Sequence, residues 1–114
     1  MKTNRLKSLI VLLMTLSLAL SAGVVQAAQP IVIGCPLATA FLYGWDAERG
    51  VTLAVEEINA AGGVNVAGEK RPFKIEVIDT RDLEPGVPVS EALLAVEKLI
   101  LDKKADFIIG PAHR

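Results

Sequence analysis

The sequence has little of what enzymes and cofactor proteins commonly use for their chemistry. Its 114 residues include one cysteine, Cys35, and one histidine, His113. A lone thiol cannot form an internal disulfide, and a lone histidine has no partner at metal-ligand spacing. The motifs G-x-G-x-x-G and G-x-x-x-x-G-K-[ST] are absent, which excludes the dinucleotide and phosphate loops that they form. We therefore expect no cofactor, no metal and no catalytic residue.

An excess of basic residues is also absent. The chain has 12 Lys and Arg against 13 Asp and Glu. All the acidic residues lie after residue 27, together with nine of the basic ones, so this part has a net charge of −4. A nucleic-acid partner needs a basic face, and none is expected here.

The first 27 residues have the three-part pattern of a secretory signal peptide. Lys2, Arg5 and Lys7 form a basic head, and the apolar run Leu9–Leu20 follows. Small residues come next, with Val25 and Ala27 at the positions that a signal peptidase reads. We predict a cut after Ala27, a secreted periplasmic protein, and a domain over residues 28–114.

Two alternative interpretations concern a membrane anchor and a lipid anchor. Residues 8–25 carry no charge and are just long enough for an uncleaved membrane anchor, but the strongly apolar part has only 12 residues. Val32-Ile33-Gly34-Cys35 resembles a lipid-attachment motif, but Gln26, Gln29 and Pro30 separate it from the apolar run. We expect Cys35 to be a small buried residue at a strand end instead.

The rest of the sequence alternates between strand and helix patterns. Short apolar, β-branched runs predict strands, and apolar residues at helical spacing predict helices. The predicted order is strand 31–35, helix from about Trp45 to Ala61, strand 73–78, helix from about Pro88 to Asp102 and strand 106–110. Residues 64–72 predict a small hairpin around Ala67-Gly68. This βαβαβ order predicts an α/β fold with a parallel sheet and right-handed crossovers.

Each predicted helix has an apolar stripe. In the first helix the stripe comprises Val51, Ala54, Val55, Ile58 and Ala61. In the second it comprises Val89, Leu93, Val96 and Ile100, widened by Leu94, Leu99 and Leu101. We expect these residues to pack against the sheet.

Candidate binding residues follow the predicted strands, because ligands of open parallel sheets bind beyond the carboxyl ends of the strands. The relevant loops are 36–44, 79–87 and 110–114. Asp79 and Asp82 fit an ammonium or cation site, but aspartates after a strand more often cap turns, which we favour. We expect either Tyr43 or Trp45 to face the ligand, and favour Tyr43 because it precedes the predicted helix.

The string Gly50–Val64 (GVTLAVEEINAAGGV) closely resembles a hallmark of the branched-chain amino-acid binding proteins. The strings IVIGCPL, Tyr43-Gly44, Asp79 and Phe107–Pro111 fall where that family has counterparts. The resemblance implies a type I periplasmic binding fold, with two α/β lobes that close on a small solute and deliver it to the membrane permease of an ABC importer. It implies no catalysis.

The resemblance also places candidate ligand contacts. The aromatic residue of the family's first loop falls on Tyr43, and its contacts after the third strand fall on Ala112, His113 and Arg114. Arg114 would supply a charge-assisted bond to an anion where the family uses backbone N–H groups and hydroxyls; a solvated terminal arginine is equally compatible. The family's common Pro-Leu-Thr-Gly reads Pro36-Leu37-Ala38-Thr39 here, and the first loop is one residue shorter than in the family, which weakens Thr39 as a contact.

Family members are several times longer than 114 residues, so we expect this chain to be an incomplete N-terminal part of the first lobe and a monomer. Two other classes stay open. One is the ligand-sensing ectodomain of a receptor or regulator with the same lobe fold. The other is a small flavodoxin-like enzyme, against which the secretory signal and the missing phosphate-binding first loop speak. Cys35 and His113 both lie at strand ends, but a nucleophile–base pair of these two has no third member.

Overall fold

The structure is a computed structural model that describes residues 4, 5, 7, 8 and 27–110. Residues 4, 5, 7 and 8 are helical. The apolar run that carries the signal-peptide prediction lies outside the described residues, as do Ala112, His113 and Arg114. In the described part of the chain, no helix has the length and apolarity needed to cross a bilayer.

Seven elements follow one another within residues 27–110. They are β1 (Ile31–Leu37), α1 (Leu42–Ala60), β2 (Val64–Val66), β3 (Glu69–Arg71), β4 (Phe73–Asp79), α2 (Val89–Leu101) and β5 (Phe107–Ile108). β4, β1 and β5 form a parallel sheet in that order, and β2 and β3 form a separate antiparallel hairpin. The predicted α/β class and parallel βαβαβ order are confirmed, and β4 lies at one edge of the sheet.

β1 is the central strand and is two residues longer than predicted. It pairs with β4 from Ile31 opposite Phe73 to Leu37 opposite Asp79, but with β5 only at Ile33 and Gly34. Proline has no N–H and normally interrupts a central strand. Pro36 is tolerated because, like Gly34 two residues before it, its backbone faces the β5 side, and the described pairing with β5 has ended there.

The two helices cover opposite faces of the sheet. On one face, a buried core forms under α1 from Ile33, Cys35, Leu37 and Val55, with Ala47, Val51, Phe73, Ile75 and Val77 packed against it. On the other face, a Cβ added to Gly34 would lie 3.3 Å from the Leu99 Cβ of α2. This close approach explains the glycine, and the continuous apolarity of β1 follows from cover on both faces.

The predicted stripe of α2 is correct at Leu99, one of the residues that widen it, but wrong at three of its four central positions. Val89, Leu93 and Ile100 are 73%, 66% and 48% exposed, whereas Ala95 and Leu99 are buried. The helix therefore turns an adjacent face to the sheet. Apolar residues lie on nearly all sides of α2, so periodicity does not select a face, and the small Ala95 lets the helix approach the strands closely. In α1 the stripe is correct at Val51 and Val55 but not at Ala54, Ile58 and Ala61, which are exposed.

The predicted hairpin is confirmed. Val64 pairs with Arg71 and Val66 with Glu69, and the turn between them consists of Ala67 (φ 51°) and Gly68 (φ 88°). Two consecutive residues with positive φ are characteristic of the tight turn whose twist matches that of a β-hairpin. Asn65 steadies the turn, because its Oδ1 accepts a 2.9 Å hydrogen bond from the Gly68 N–H.

Two boundaries differ from the prediction. α1 begins at Leu42 rather than near Trp45, because the amides of Gly44 and Trp45 both donate to the Phe41 carbonyl, at 3.1 and 3.2 Å. β5 is shorter than residues 106–110. At its start, the Asp106 side chain accepts a 2.8 Å hydrogen bond from the Val32 N–H, in place of a backbone carbonyl.

Candidate functional site

Hydrogen bonds tie two of the predicted loops together beyond the carboxyl ends of β1 and β4. Asp79 ends β4 in register with Leu37, which ends β1. Its Oδ1 accepts from the backbone N–H groups of Thr39 and Arg81, both at 3.1 Å. The Thr80 N–H donates to the Leu37 carbonyl at 3.0 Å. One carboxylate therefore holds the starts of both loops at the same edge of the sheet.

Asp79 has the turn role that the sequence analysis favoured over a cation site. It accepts two backbone N–H bonds, which is what a strand-end aspartate does when it caps a turn. The Thr80 hydroxyl, in a residue only 2% exposed, donates to Oδ1 of Asp82. Within the described ranges, no group of three or more His, Cys, Asp or Glu is arranged to hold a metal ion.

The second loop is further fixed by Arg81. This residue has a φ of 56°, which is uncommon for a side chain other than glycine. Its guanidinium binds Glu84 through Nη2 at 3.0 Å and Nε at 3.3 Å. The pair lies at the surface, with the Arg81 side chain 53% exposed, and the hydrogen bond to Glu84 raises the pKa of Arg81. The pair therefore orders the loop more than it stabilises the domain.

The first loop is short and lies close against the first turn of α1. It consists of residues 38–41, in which Ala38 is buried and Ala40 is exposed. A Cβ on Gly44 would lie 2.2 Å from the Ala38 carbonyl oxygen, so only glycine permits this contact. The N-cap, Phe41, makes no side-chain capping bond. The loop thus places the positive end of the α1 dipole at the site edge, where backbone N–H groups suit an anionic group such as a carboxylate.

Tyr43 lies in the first turn of α1 and is 71% exposed. The prediction that Tyr43 precedes the helix is therefore wrong. Trp45 is 51% exposed and lies two residues further, about 200° around the helix. Its ring centroid is 6.0 Å from the guanidinium carbon of Arg49, so it already has a neighbour on α1 itself. Only one of the two aromatic rings can face a given ligand, and Tyr43 as that ring stays a prediction.

The other predicted contacts, Ala112, His113 and Arg114, lie outside the described residues. The structure does bring the strand before them to the same edge. β5 runs parallel to β1, and the Ile109 N–H donates to the Gly34 carbonyl at 2.9 Å.

Cys35 does not have the surroundings of a nucleophile. It is fully buried in the core on the α1 side of β1, as predicted for a small buried residue. Burial raises the pKa of its thiol, and the nearby charge of Glu48 raises it further. Both effects keep the thiol protonated, which is the opposite of what nucleophilic catalysis requires.

Sequence reasoning missed two residues that shape this edge, Thr80 and Gly44. Thr80 is buried and bonded to Leu37 at the end of β1 and to Asp82 in its own loop, and Gly44 makes a close backbone approach to the first loop. The signal for Gly44 was a glycine between two aromatic residues at a strand-to-helix turn. No comparable signal marks Thr80, because its burial depends on the register of β4 with β1.

Comparison with known proteins rests on the fold. No family model matches the chain, and no curated protein matches it either. Among solved structures, the chain is similar to the branched-chain amino acid transporter substrate binding protein LivJ from Streptococcus pneumoniae str. Canada MDR_19A, in complex with isoleucine. The identity is 29% over 73% of this chain, with a TM-score of 0.59.

The matched region spans 22% of the length of LivJ, about a fifth of that protein. LivJ is a substrate-binding protein. The mixed α/β fold with its parallel three-stranded sheet is accordingly consistent with a lobe of a type I periplasmic binding protein.

Proposed function

We propose that this chain contributes one wall of a solute-binding site for a branched-chain or related amino acid. The observation that carries the proposal is the edge at which Asp79 ties the loops after β1 and β4 together, in a fold similar to that of an isoleucine-bound protein. Binding rather than catalysis is supported by the buried, protonated thiol of Cys35.

The chemistry of the edge fits an α-amino acid. The N-terminus of α1 favours a carboxylate, and the exposed ring of Tyr43 offers an apolar surface for an aliphatic side chain. The predicted contacts Ala112, His113 and Arg114 would follow β5 at the same edge. We propose all four residues as ligand contacts, with Tyr43 on the side chain and Arg114 on an anionic group.

The biological setting belongs to the same proposal. A signal peptide over residues 1–27, cleaved after Ala27, would export the protein to the periplasm, where it would pass its solute to the membrane permease of an ABC importer. The basic head, the apolar run and the small residues at positions 25 and 27 support export. The similarity to a transporter substrate-binding protein supports the transport role.

Saturation-transfer NMR on the 114-residue chain tests the binding proposal, because it detects ligands that bind with millimolar affinity. L-Isoleucine should show saturation at its methyl groups, and L-leucine and L-valine should reduce the signal. D-Isoleucine and L-lysine serve as matched controls and should compete poorly, since one reverses the stereochemistry and the other adds a charge to the side chain. Equal signals from all five amino acids, or none from L-isoleucine, would contradict the proposal.

A further inference from the structure

The segment just before β1 is held by a single side chain of the hairpin. Arg71, the last residue of β3, donates from Nε to the Gln29 carbonyl at 2.8 Å and from Nη2 to the Pro30 carbonyl at 3.4 Å. The next residue, Ile31, donates its N–H to the Pro72 carbonyl at 2.8 Å and starts β1. Gln29 is thus the first residue of this segment for which a hydrogen bond to the hairpin is described.

The predicted processing site lies immediately before this clamp. Ala27 is exposed, Ala28 is half-buried, and Gln29 and Pro30 are the second and third residues after the Ala27–Ala28 bond. An endopeptidase binds its substrate as an extended segment with several residues on each side of the cleaved bond. In the folded domain, Gln29 and Pro30 are exposed, but Arg71 of the hairpin holds both of their carbonyls.

We infer that Arg71 is a clamp that slows the processing of the Ala27–Ala28 bond once the domain has folded around Gln29 and Pro30. The reaction is a simple hydrolysis: water adds across the peptide bond, leaving a carboxylate on Ala27 and an amino group on Ala28. Once the clamp is closed, cleavage has to wait for local opening of this segment. Its rate then follows the fraction of molecules in which Arg71 has released the two carbonyls.

Charge-assisted hydrogen bonds set the size of the effect. The Arg71 guanidinium holds two carbonyls, one of them at the long distance of 3.4 Å. Loss of these hydrogen bonds should raise the fraction of molecules in which the segment is open by about tenfold. The inference rests on the export part of the proposed function, because it takes the cut after Ala27 as the processing event.

The test uses cell-free synthesis of the full chain with a purified signal peptidase in detergent micelles. The peptidase is either present during synthesis or added after folding is complete. Native chain should be cut when the enzyme is present throughout, and at least about tenfold more slowly when it is added to folded protein. In folded Arg71→Ala chain, the rate should rise about tenfold above that of the folded native chain.

Two variants make the result specific. Lys70→Ala removes a neighbouring exposed cation on the same strand that does not bond to Gln29 or Pro30, and should be cut as slowly as the native chain. Arg71→Lys keeps the charge but can reach one carbonyl at a time, and should give an intermediate rate. If circular dichroism shows that Arg71→Ala fails to fold, the cleavage rate of Arg71→Lys tests the clamp instead.

The outcomes separate the two proposals. If the folded native chain is cut as fast as the nascent chain, or if neither Arg71 variant is cut faster than the folded native chain, the clamp is refuted while export stands. If the native chain is not cut after Ala27 even during synthesis, the export proposal fails and the clamp fails with it.

Discussion

The side-chain amide of Asn59 pairs with the backbone of Phe73 in the way that a neighbouring strand would. Its Nδ2 donates to the Phe73 carbonyl and its Oδ1 accepts from the Phe73 N–H, both at 2.8 Å. The Ile31 N–H uses the carbonyl of Pro72, so the polar groups of Phe73 point away from β1, to the outer edge of β4. Asn59 therefore closes the start of that edge and ties the last turn of α1 to the sheet.

Replacing Asn59 by Ala should lower the free energy of unfolding by about 2 kcal/mol, because it leaves both polar groups of Phe73 without their partner. Urea denaturation followed by circular dichroism measures the change. Glu57→Ala is the control, since Glu57 is exposed on the same turn, and it should stay within about 0.5 kcal/mol of the native chain. Equal effects of the two substitutions would show that the Asn59 amide does not stabilise the edge.

Two leucines of α2 separate the observed packing from the central line of the predicted stripe, to which Leu93 belongs and Leu99 does not. Leu99 is fully buried and Leu93 is 66% exposed. Leu99→Ala should cost about 2–5 kcal/mol of folding free energy by leaving a cavity, and Leu93→Ala less than about 1 kcal/mol. Thermal unfolding of the two variants compares the same chemical change on adjacent faces of one helix. A larger loss for Leu93→Ala would mean that the originally predicted stripe faces the sheet.

Two glycines of α1 should respond to alanine in opposite directions. Gly50→Ala meets nothing within 4 Å and should stabilise the helix by about 0.5–1 kcal/mol. Gly44→Ala places a Cβ 2.2 Å from the Ala38 carbonyl oxygen and should cost about 1–3 kcal/mol. It should also weaken L-isoleucine saturation, because the first loop has to move. Differential scanning calorimetry measures the stability of both variants, and saturation-transfer NMR measures the L-isoleucine signal. Stabilisation by Gly44→Ala would contradict the close approach of Gly44 to Ala38.

The thiol of Cys35 should react only when the domain opens. The thiol is fully buried, and burial and Glu48 raise its pKa. At neutral pH, alkylation of the folded chain should therefore be at least about 1,000-fold slower than alkylation of the chain unfolded in urea. Rapid alkylation of the folded chain would contradict the burial of Cys35.

The same pKa shift makes stability depend on pH. Because the folded-state pKa is raised, the contribution of Cys35 is fully present below the ordinary thiol pKa of 9.0 and is lost as the pH rises above it. Urea denaturation of the native chain should show this alkaline loss, and Cys35→Ala should lack it. The same decline in both would assign the loss to other groups.

The order of elements was predictable because each carries a local signal. β1 is apolar on both faces, and the hairpin turn is marked by Ala67-Gly68 next to charged residues. The face of α2 was not predictable in this way, since Val89, Leu93 and Ile100 are as apolar as the residues that the helix buries. Which face of α2 meets the sheet depends on the close contact of Leu99 with Gly34. The two residues are far apart in the sequence, and helical periodicity carries no information about such a contact.

The candidate site shows the same limit. The sequence placed Asp79 at a strand end and favoured its turn role, which the two backbone bonds confirm. It did not find that Thr39 is one of the bonded residues, because that contact joins loops 40 positions apart. The start of α1 was misplaced since Phe41 caps the helix without a polar side chain, which is the usual signal for a helix start.

The most direct test of the binding edge is a ¹H–¹⁵N NMR titration of the chain with L-isoleucine. Binding at the carboxyl ends of the strands predicts shifts in the amides of residues 38–43 and 79–82, and none in the hairpin residues 64–71 at the opposite edge. D-Isoleucine at the same concentrations should shift neither the amides of residues 38–43 and 79–82 nor those of residues 64–71. Shifts confined to the hairpin, or the same shifts with both enantiomers, would contradict a stereospecific amino-acid site at this edge.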